Sequence, residues 1–414
     1  MAAAPTAASD DPSDHFFQPD KVAPERLNEV LGLELFTDEP FFQSKEAEVG
    51  QRVGWPEESR TDELASYRLY AGPEERLLGA RPYSCVLYAR DGQPMMVSVV
   101  YTNKGDFFGG SRVGGGGGVA FGRFEDFEEA LQQDEELLEQ ALASVLGKPR
   151  RVRFGKGSMR ERALRWDWRG VAFLLSAQDD EYVGLRIVSS EMADNDGVLE
   201  PLPDAEFKRK LQARVQRRDN GDVILAQIPM VDQGPKGYCV PATWERYLRY
   251  MDIPADMYVL AMAAQTQAGG GSYAGVIDES AQRLARRHKK RVEYVRGDLD
   301  LETVAEHIDQ GLPLMWNCLV DPRADHAITL RSLLRRGEVP EEHVGKVEEL
   351  YAELAEQPQS FGGGGGHMRL IIGYNEQTGE IAITDSWGKG FEERWMPVAD
   401  AQAIHRDRLK IIEP

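Results

Sequence analysis

Residues 233–251 read QGPKGYCVPATWERYLRYM, and this stretch decides how the C-terminal half of the chain is understood. Gly234 and Gly237 make a tight approach to Cys239, and an amphipathic helical pattern starts directly after it. Pro241 is tolerated in a first helical turn, so a helix is expected from Val240 to Met251 with Cys239 beside its N-terminus. The free N–H groups and the dipole at that end favour an anion. They lower a thiol pKa from its usual value of about 8.5 and so favour the nucleophilic thiolate. Taken alone, such a cysteine is more often a packing thiol in a core. Gln233 lies six residues upstream. Its side-chain amide and the Cys239 backbone N–H can point at one spot, which is how an oxyanion hole is made. A lone turn glutamine more often bonds its own backbone.

Partners for the thiol lie far along the chain. His367 opens an apolar strand, HMRLIIGY (367–374), which turns at Asn375 to Gly379 and returns to Asp385 in ITDSWG (383–388). A hairpin with that spacing brings His367 and Asp385 together. A carboxylate on one imidazole nitrogen fixes the tautomer and leaves the other nitrogen for the thiol. His326, in DPRADHAITL (321–330), is the rival base, but no GY and no DSWG follow it at hairpin distance. Cys318 sits in an apolar strand and reads as core.

The bulk composition narrows the classes. The chain has 414 residues, 42% hydrophobic and 29% charged, which suits a soluble globular protein of two domains or one large one. The net charge of −20 argues against a nucleic-acid partner, which needs a basic surface. Apolar runs such as VAFLLSA are too short for membrane insertion. Three scattered cysteines (Cys85, Cys239, Cys318) and seven histidines without HExxH spacing suggest no disulfide framework, no metal and no cofactor. The start, MAAAPTAASDDPSD, has no signal-peptide pattern. It reads as a disordered leader, either the mature end of a secreted or periplasmic chain, which its composition slightly favours, or a cytoplasmic terminus.

The expected organisation is α+β throughout. Residues 1–24 form the leader, and 25–220 form a smaller α+β domain. In it, hairpins over 87–102 and 171–190 share an antiparallel sheet packed by a helix over 124–146. That helix shows its apolar residues at Phe127, Leu131, Leu137, Leu138, Ala141 and Leu146. The glycines of GGSRVGGGGGVAFG (109–122) lack the GK[ST] of a phosphate loop, as does GKGS (155–158), so a surface loop is expected. A charged helical connector spans 204–221, and residues 221–414 place helices before an antiparallel sheet.

QGPKGYC, HMRLIIGY and DSWGKGFEERW together resemble the papain-like cysteine peptidases, in their order of Gln, Cys, His and Asn or Asp. Asp385 in place of asparagine, with GLPLMWNCLV (311–320) before the histidine, is similar to the bacterial C39-like branch. The resemblance covers about 190 residues and implies a papain-like fold, a peptide or protein substrate and a division of labour. Cys239 is then the nucleophile, Gln233 an oxyanion donor, His367 the acid and base, Asp385 its orienter and Trp387 a shield over their hydrogen bond. Three departures stand out: Val240 replaces the usual tryptophan after the nucleophile, an insertion spans about 321–366, and no cysteine lies near Cys239 to form a disulfide. The same groups serve any acyl-enzyme, so a thiol amidase or transglutaminase-type transferase is an alternative, as is a catalytically silent binding module. The resemblance says nothing of residues 1–220. They are open to three readings: an inhibitory pro-region, a substrate-recognition domain or a structural partner.

Overall fold

The computed structural model describes residues 19–109, 123–155, 160–178, 181–199, 201–234, 237–263, 274–355 and 365–414. Most of the expected leader, all but the first residue of each glycine loop expected at 109–122 and 155–158, and the FGGG run before Gly365 lie outside the described residues.

The N-terminal part runs α1 (Pro24–Leu31), α2 (Glu46–Val53), β1 (Glu57–Arg60), β2 (Leu64–Tyr70), β3 (Ser84–Arg90), β4 (Gln93–Asn103), α3 (Lys104–Gly109), α4 (Phe124–Leu146), β5 (Arg150–Phe154), β6 (Glu161–Trp168), β7 (Val171–Gln178), β8 (Tyr182–Ser189), α5 (Ser190–Asp194) and α6 (Asp204–Ala213). Its strands form one antiparallel sheet in the order β1-β2-β3-β4-β8-β7-β6-β5, so the two expected hairpins meet at β4 and β8. Both faces are covered, which explains apolar runs rather than alternation. In β7, Val171, Phe173 and Leu175 join the core under α4, while Ala172 and Leu174 join the opposite one. On α4 the buried stripe is Phe127, Leu131, Leu138, Leu142, Val145 and Leu146. Leu137, expected on that stripe, is exposed, because the helix turns it away from the sheet.

The C-terminal part runs β9 (Val215–Arg217), β10 (Val223–Leu225), α7 (Cys239–Tyr250), α8 (Met257–Ala263), α9 (Ala274–Arg287), β11 (Arg291–Tyr294), α10 (Leu301–Ile308), β12 (Leu314–Val320), α11 (Pro322–Arg335), α12 (Glu341–Ala355), β13 (Gly365–Asn375), β14 (Glu380–Thr384), β15 (Arg394–Pro397), α13 (Val398–Ile404) and β16 (His405–Glu413). A second antiparallel sheet follows the path β11-β16-β12-β13-β10-β9, with β14 and β15 added beside β13. The mixed helices and antiparallel sheets make the chain α+β. The expected connector is α6 with β9, and its Phe207 and Leu211 are buried in the C-terminal core.

Two features depart from expectation. Helix α7 is not amphipathic in its surroundings: every residue from Val240 to Tyr250 is buried. Its charged side chains meet the N-terminal sheet on one side and the C-terminal sheet on the other. The insertion over 321–366 contributes two helices, α11 and α12, and α11 lies against β15. Pro322 opens α11, and the Asp321 carboxylate caps it by accepting from the Arg323 and Ala324 N–H groups.

Candidate active site

Helix α7 begins at Cys239, so the thiol lies at the positive end of a buried three-turn helix. Three side chains on α7 dock it. Thr243 Oγ1 donates to the Met368 carbonyl at 3.1 Å, which ties α7 to the strand that carries His367. Arg246, two turns below the thiol, donates to the Pro229 carbonyl at 2.9 Å and to Thr384 Oγ1 at 2.6 Å. It therefore joins the loop before Gln233 to the residue before Asp385. Burial brings the Arg246 guanidinium down to about 10, still protonated at neutral pH. Trp244 Nε1 donates to Asp278 at 2.9 Å, anchoring the helix to α9.

The hairpin of β13 and β14 brings His367 to Asp385, with His367 Nε2 2.7 Å from Asp385 Oδ1. The thiol is then served by the other ring nitrogen, Nδ1, and the His367 and Cys239 side chains are hydrogen-bonded to each other. Burial alone would raise the thiol pKa. The His367 hydrogen bond and charge, with backbone groups of Met368 and Val240, outweigh it and lower the pKa below the ordinary value. His367 shifts the opposite way. Burial disfavours its charged form, but the hydrogen bonds to Asp385 and Cys239 prevail and raise its pKa. Opposite shifts on the two partners favour a thiolate–imidazolium pair. The Trp387 ring stacks on the imidazole, with centroids 4.4 Å apart and planes 24° apart.

Gln233 is buried on the same side of the site. Its backbone N–H donates to the Ser386 carbonyl at 2.8 Å, and Ser386 Oγ donates to Gln233 Oε1 at 2.8 Å. Fixing Oε1 as the acceptor turns Nε2, the donor needed for an oxyanion, the other way. Gln233, Cys239, His367 and Asp385 thus converge from a loop, a helix start, a strand and the position just after its hairpin partner. His326 does not join them: it is exposed on α11. Cys318 is buried in β12, and burial pushes its thiol up to about 12.

Sequence reasoning missed what surrounds Asp385. Arg369 Nε donates to Asp385 Oδ1 at 2.7 Å, and Arg394 donates to Oδ2. Both guanidiniums also bind Asp325 of α11, Arg369 through Oδ1 and Arg394 through Oδ2 at 2.8 Å. Two aspartates and two arginines make a neutral, almost fully buried square. Burial would raise the Asp385 pKa, but Arg369, Arg394 and His367 hold it well below the usual carboxylate range. The available signal was weak: two arginines at apolar strand positions, HMRLII and EERWMP, are unusual in a core and call for buried acids. Among the described residues, no group of three or more His, Cys, Asp or Glu side chains is arranged to hold a metal ion.

Residues 225–406 match the model of the Peptidase_C39 like family. The C-terminal unit is C39-like. No curated protein matches the chain. Among solved structures, the C39-like unit is similar to the peptidase domain of Streptococcus ComA, a bifunctional ABC transporter of a quorum-sensing pathway. That match is 13% identical and covers 45% of this chain and 99% of that one, with a TM-score of 0.28. A double glycine motif protease from an AMS/PCAT transporter, solved with its leader peptide, is 12% identical and covers 46% of this chain and 93% of that one, with a TM-score of 0.26. The N-terminal sheet lies outside the family match.

Proposed function

We propose that this chain is a cysteine peptidase acting on a peptide or protein substrate. The observation that carries the reading is the Cys239–His367–Asp385 chain of hydrogen bonds, with the thiol lowered and the imidazole raised. In this reading the Cys239 thiolate attacks a carbonyl carbon, and its electron pair forms the C–S bond as the carbonyl oxygen becomes an oxyanion. Gln233 Nε2 and the Cys239 N–H hold that oxygen. His367, protonated at Nδ1, gives its proton to the leaving amine. It then takes one from water, whose oxygen attacks the thioester and releases Cys239. Asp385 holds Nε2 throughout and stabilises the imidazolium, and Trp387 covers that hydrogen bond.

The test is alkylation of the purified protein by iodoacetamide across pH, with Cys239→Ala and His367→Ala alongside. Labelling at Cys239 well below pH 8.5, shifted to the ordinary thiol range without His367, is the expected result. A wild type that labels only in the ordinary thiol range refutes the ion pair and favours a silent module. A peptide library then separates hydrolysis from acyl transfer.

A further inference from the structure

The loop that carries Gln233 has almost no secondary structure of its own, although it is mostly buried: Met230, Val231 and Gln233 are less than a tenth exposed. Buried backbone N–H and C=O groups must find partners. Those of this loop find several of them in the N-terminal sheet. The Met230 N–H donates to Ser59 Oγ at 2.8 Å, and the Asp232 N–H donates to Glu58 Oε1 at 2.9 Å. The Asp232 carbonyl accepts from the Tyr70 hydroxyl. Other contacts come from the site and from the loop itself: the Gln233 N–H donates to the Ser386 carbonyl, and the Gly234 N–H donates to Asp232 Oδ1 at 2.8 Å. The fit is tight on both sides. Gly234 has φ +68°, and a Cβ there would stand 3.2 Å from Tyr70 Cζ. A Cβ on Gly388, in the turn after Asp385, would stand 2.7 Å from the Asp232 carboxylate. Val231 packs with Val100 and Tyr182 of the N-terminal sheet in the same small cluster as Tyr238, the residue before Cys239.

We propose that the N-terminal sheet is a working part of the active site, with Ser59, Glu58 and Tyr70 as positioning residues that set the Gln233 loop against the Cys239 N–H. This rests on the cysteine-peptidase reading above. It decides among the roles open for the N-terminal region: the sheet supports catalysis in the full chain rather than awaiting removal. Ser59, Glu58 and Tyr70 act through Gln233 and never touch the substrate. The geometry they hold matters because a displacement of about 1 Å in a catalytic donor costs ~10²-fold in rate.

The experiment uses the full chain and two probes. Iodoacetamide alkylation reads the Cys239–His367 pair alone. The acylation burst with p-nitrophenyl acetate also needs the oxyanion donors. Tyr70→Phe removes one hydroxyl, and Ser59→Ala removes another at a separate point of the loop. Each is expected to lower the acylation rate by ~10-fold or more. The pH profile of alkylation and the KM for the ester should stay unchanged, and Ser59→Thr, which restores a hydroxyl, should recover the rate. Acylation within twofold of wild type in both variants overturns the proposal. So does a parallel fall of acylation and alkylation, which marks general loosening. If one variant fails to fold, the other decides. A wild type with no Cys239-dependent burst refutes the peptidase reading instead, so the two failures are distinguishable.

Discussion

At the scale of single residues, the carboxylate of Asp385 is held by more than its histidine. Arg369 and Arg394 grip both its oxygens, and Asp325 balances their charge. Such a square costs desolvation of four charges, and removing one member leaves an unpaired buried charge. Arg369→Met is therefore expected to lose ~3–5 kcal/mol of stability, read by urea denaturation at neutral pH. A loss below about 1 kcal/mol would mean that the square is not formed in solution. The pH dependence follows from the depressed pKa of Asp385. Its stabilising contribution is present above the ordinary carboxylate range and is lost as pH falls through the lower folded value, so acid unfolding should begin earlier in Arg394→Met than in wild type. Gln233→Ala is expected to cut the acylation rate by ~10²–10³ while leaving alkylation of Cys239 intact, since the donor acts only when charge develops on the carbonyl oxygen.

Among the elements, α7 links everything in the site. Arg246 reaches the Gln233 loop at Pro229 and the Asp385 strand at Thr384 with the same guanidinium. Arg246→Met keeps the length of the side chain and removes both bonds. It is expected to lose ~1–3 kcal/mol and to slow acylation more than alkylation; kinetics with the two probes and a denaturation curve check this. The sequence made much of α7 and the β13–β14 hairpin legible. Gly234, Gly237, Cys239 and Pro241 marked a tight turn into a helix, and the Asn375–Gly379 turn between two apolar strands fixed the register that pairs His367 with Asp385. Local chemistry of that kind is written in neighbouring residues. Helix α11 was not legible, because the face it buries carries Asp325 and Ser332 among its apolar residues and its pattern sits inside an insertion. Nor was its role, since Asp325 meets Arg369 and Arg394 only after the chain has folded across 44 and 69 residues.

For the whole molecule, the junction of the two sheets is a buried polar cluster. Arg68 of β2 binds Glu58 at 2.7 Å and Glu245 of α7 at 3.3 Å, while the Tyr88 hydroxyl lies between two carboxylates, 2.9 Å from Glu245 Oε1 and 3.2 Å from Asp256 Oδ2. Arg249 and the Met257 N–H also donate to Glu245. The carboxylates of Glu58, Glu245 and Asp256 are crowded together at this junction against Arg68 and Arg249. Burial, opposed by Arg68 and Arg249 and reinforced by Asp256 and Glu58, pushes Glu245 up to about 7. The sign is opposite to that of Asp385. The folded state keeps a proton that the unfolded chain releases near pH ~4.3, so stability from this group falls as pH rises from there to about 7. Glu245→Gln is expected to flatten that decline, measured as denaturation midpoints between pH 5 and 8; an unchanged slope would show that Glu245 is ionised in the folded protein.

The sequence by itself determined the α+β class, the C39-like character of the C-terminal unit and the identity of the four residues that the structure gathers. These depend on short-range spacing: glycines before a helix, a turn between strands, a histidine and an aspartate at matching ends of one hairpin. Only the tertiary structure decided where the charges of α7 go. WERYLRY reads as a helix with a solvated face, yet Glu245, Arg246 and Arg249 are all buried: the N-terminal sheet covers Glu245 and Arg249 and supplies Arg68 and Tyr88 as partners, while Arg246 is enclosed on the other side by Pro229 and Thr384. Only the tertiary structure, too, placed Ser59, Glu58 and Tyr70 behind the Gln233 loop, some 160 to 175 residues away along the chain. Burial of a charge is a property of what lands on it, and no local pattern records which distant strand that will be.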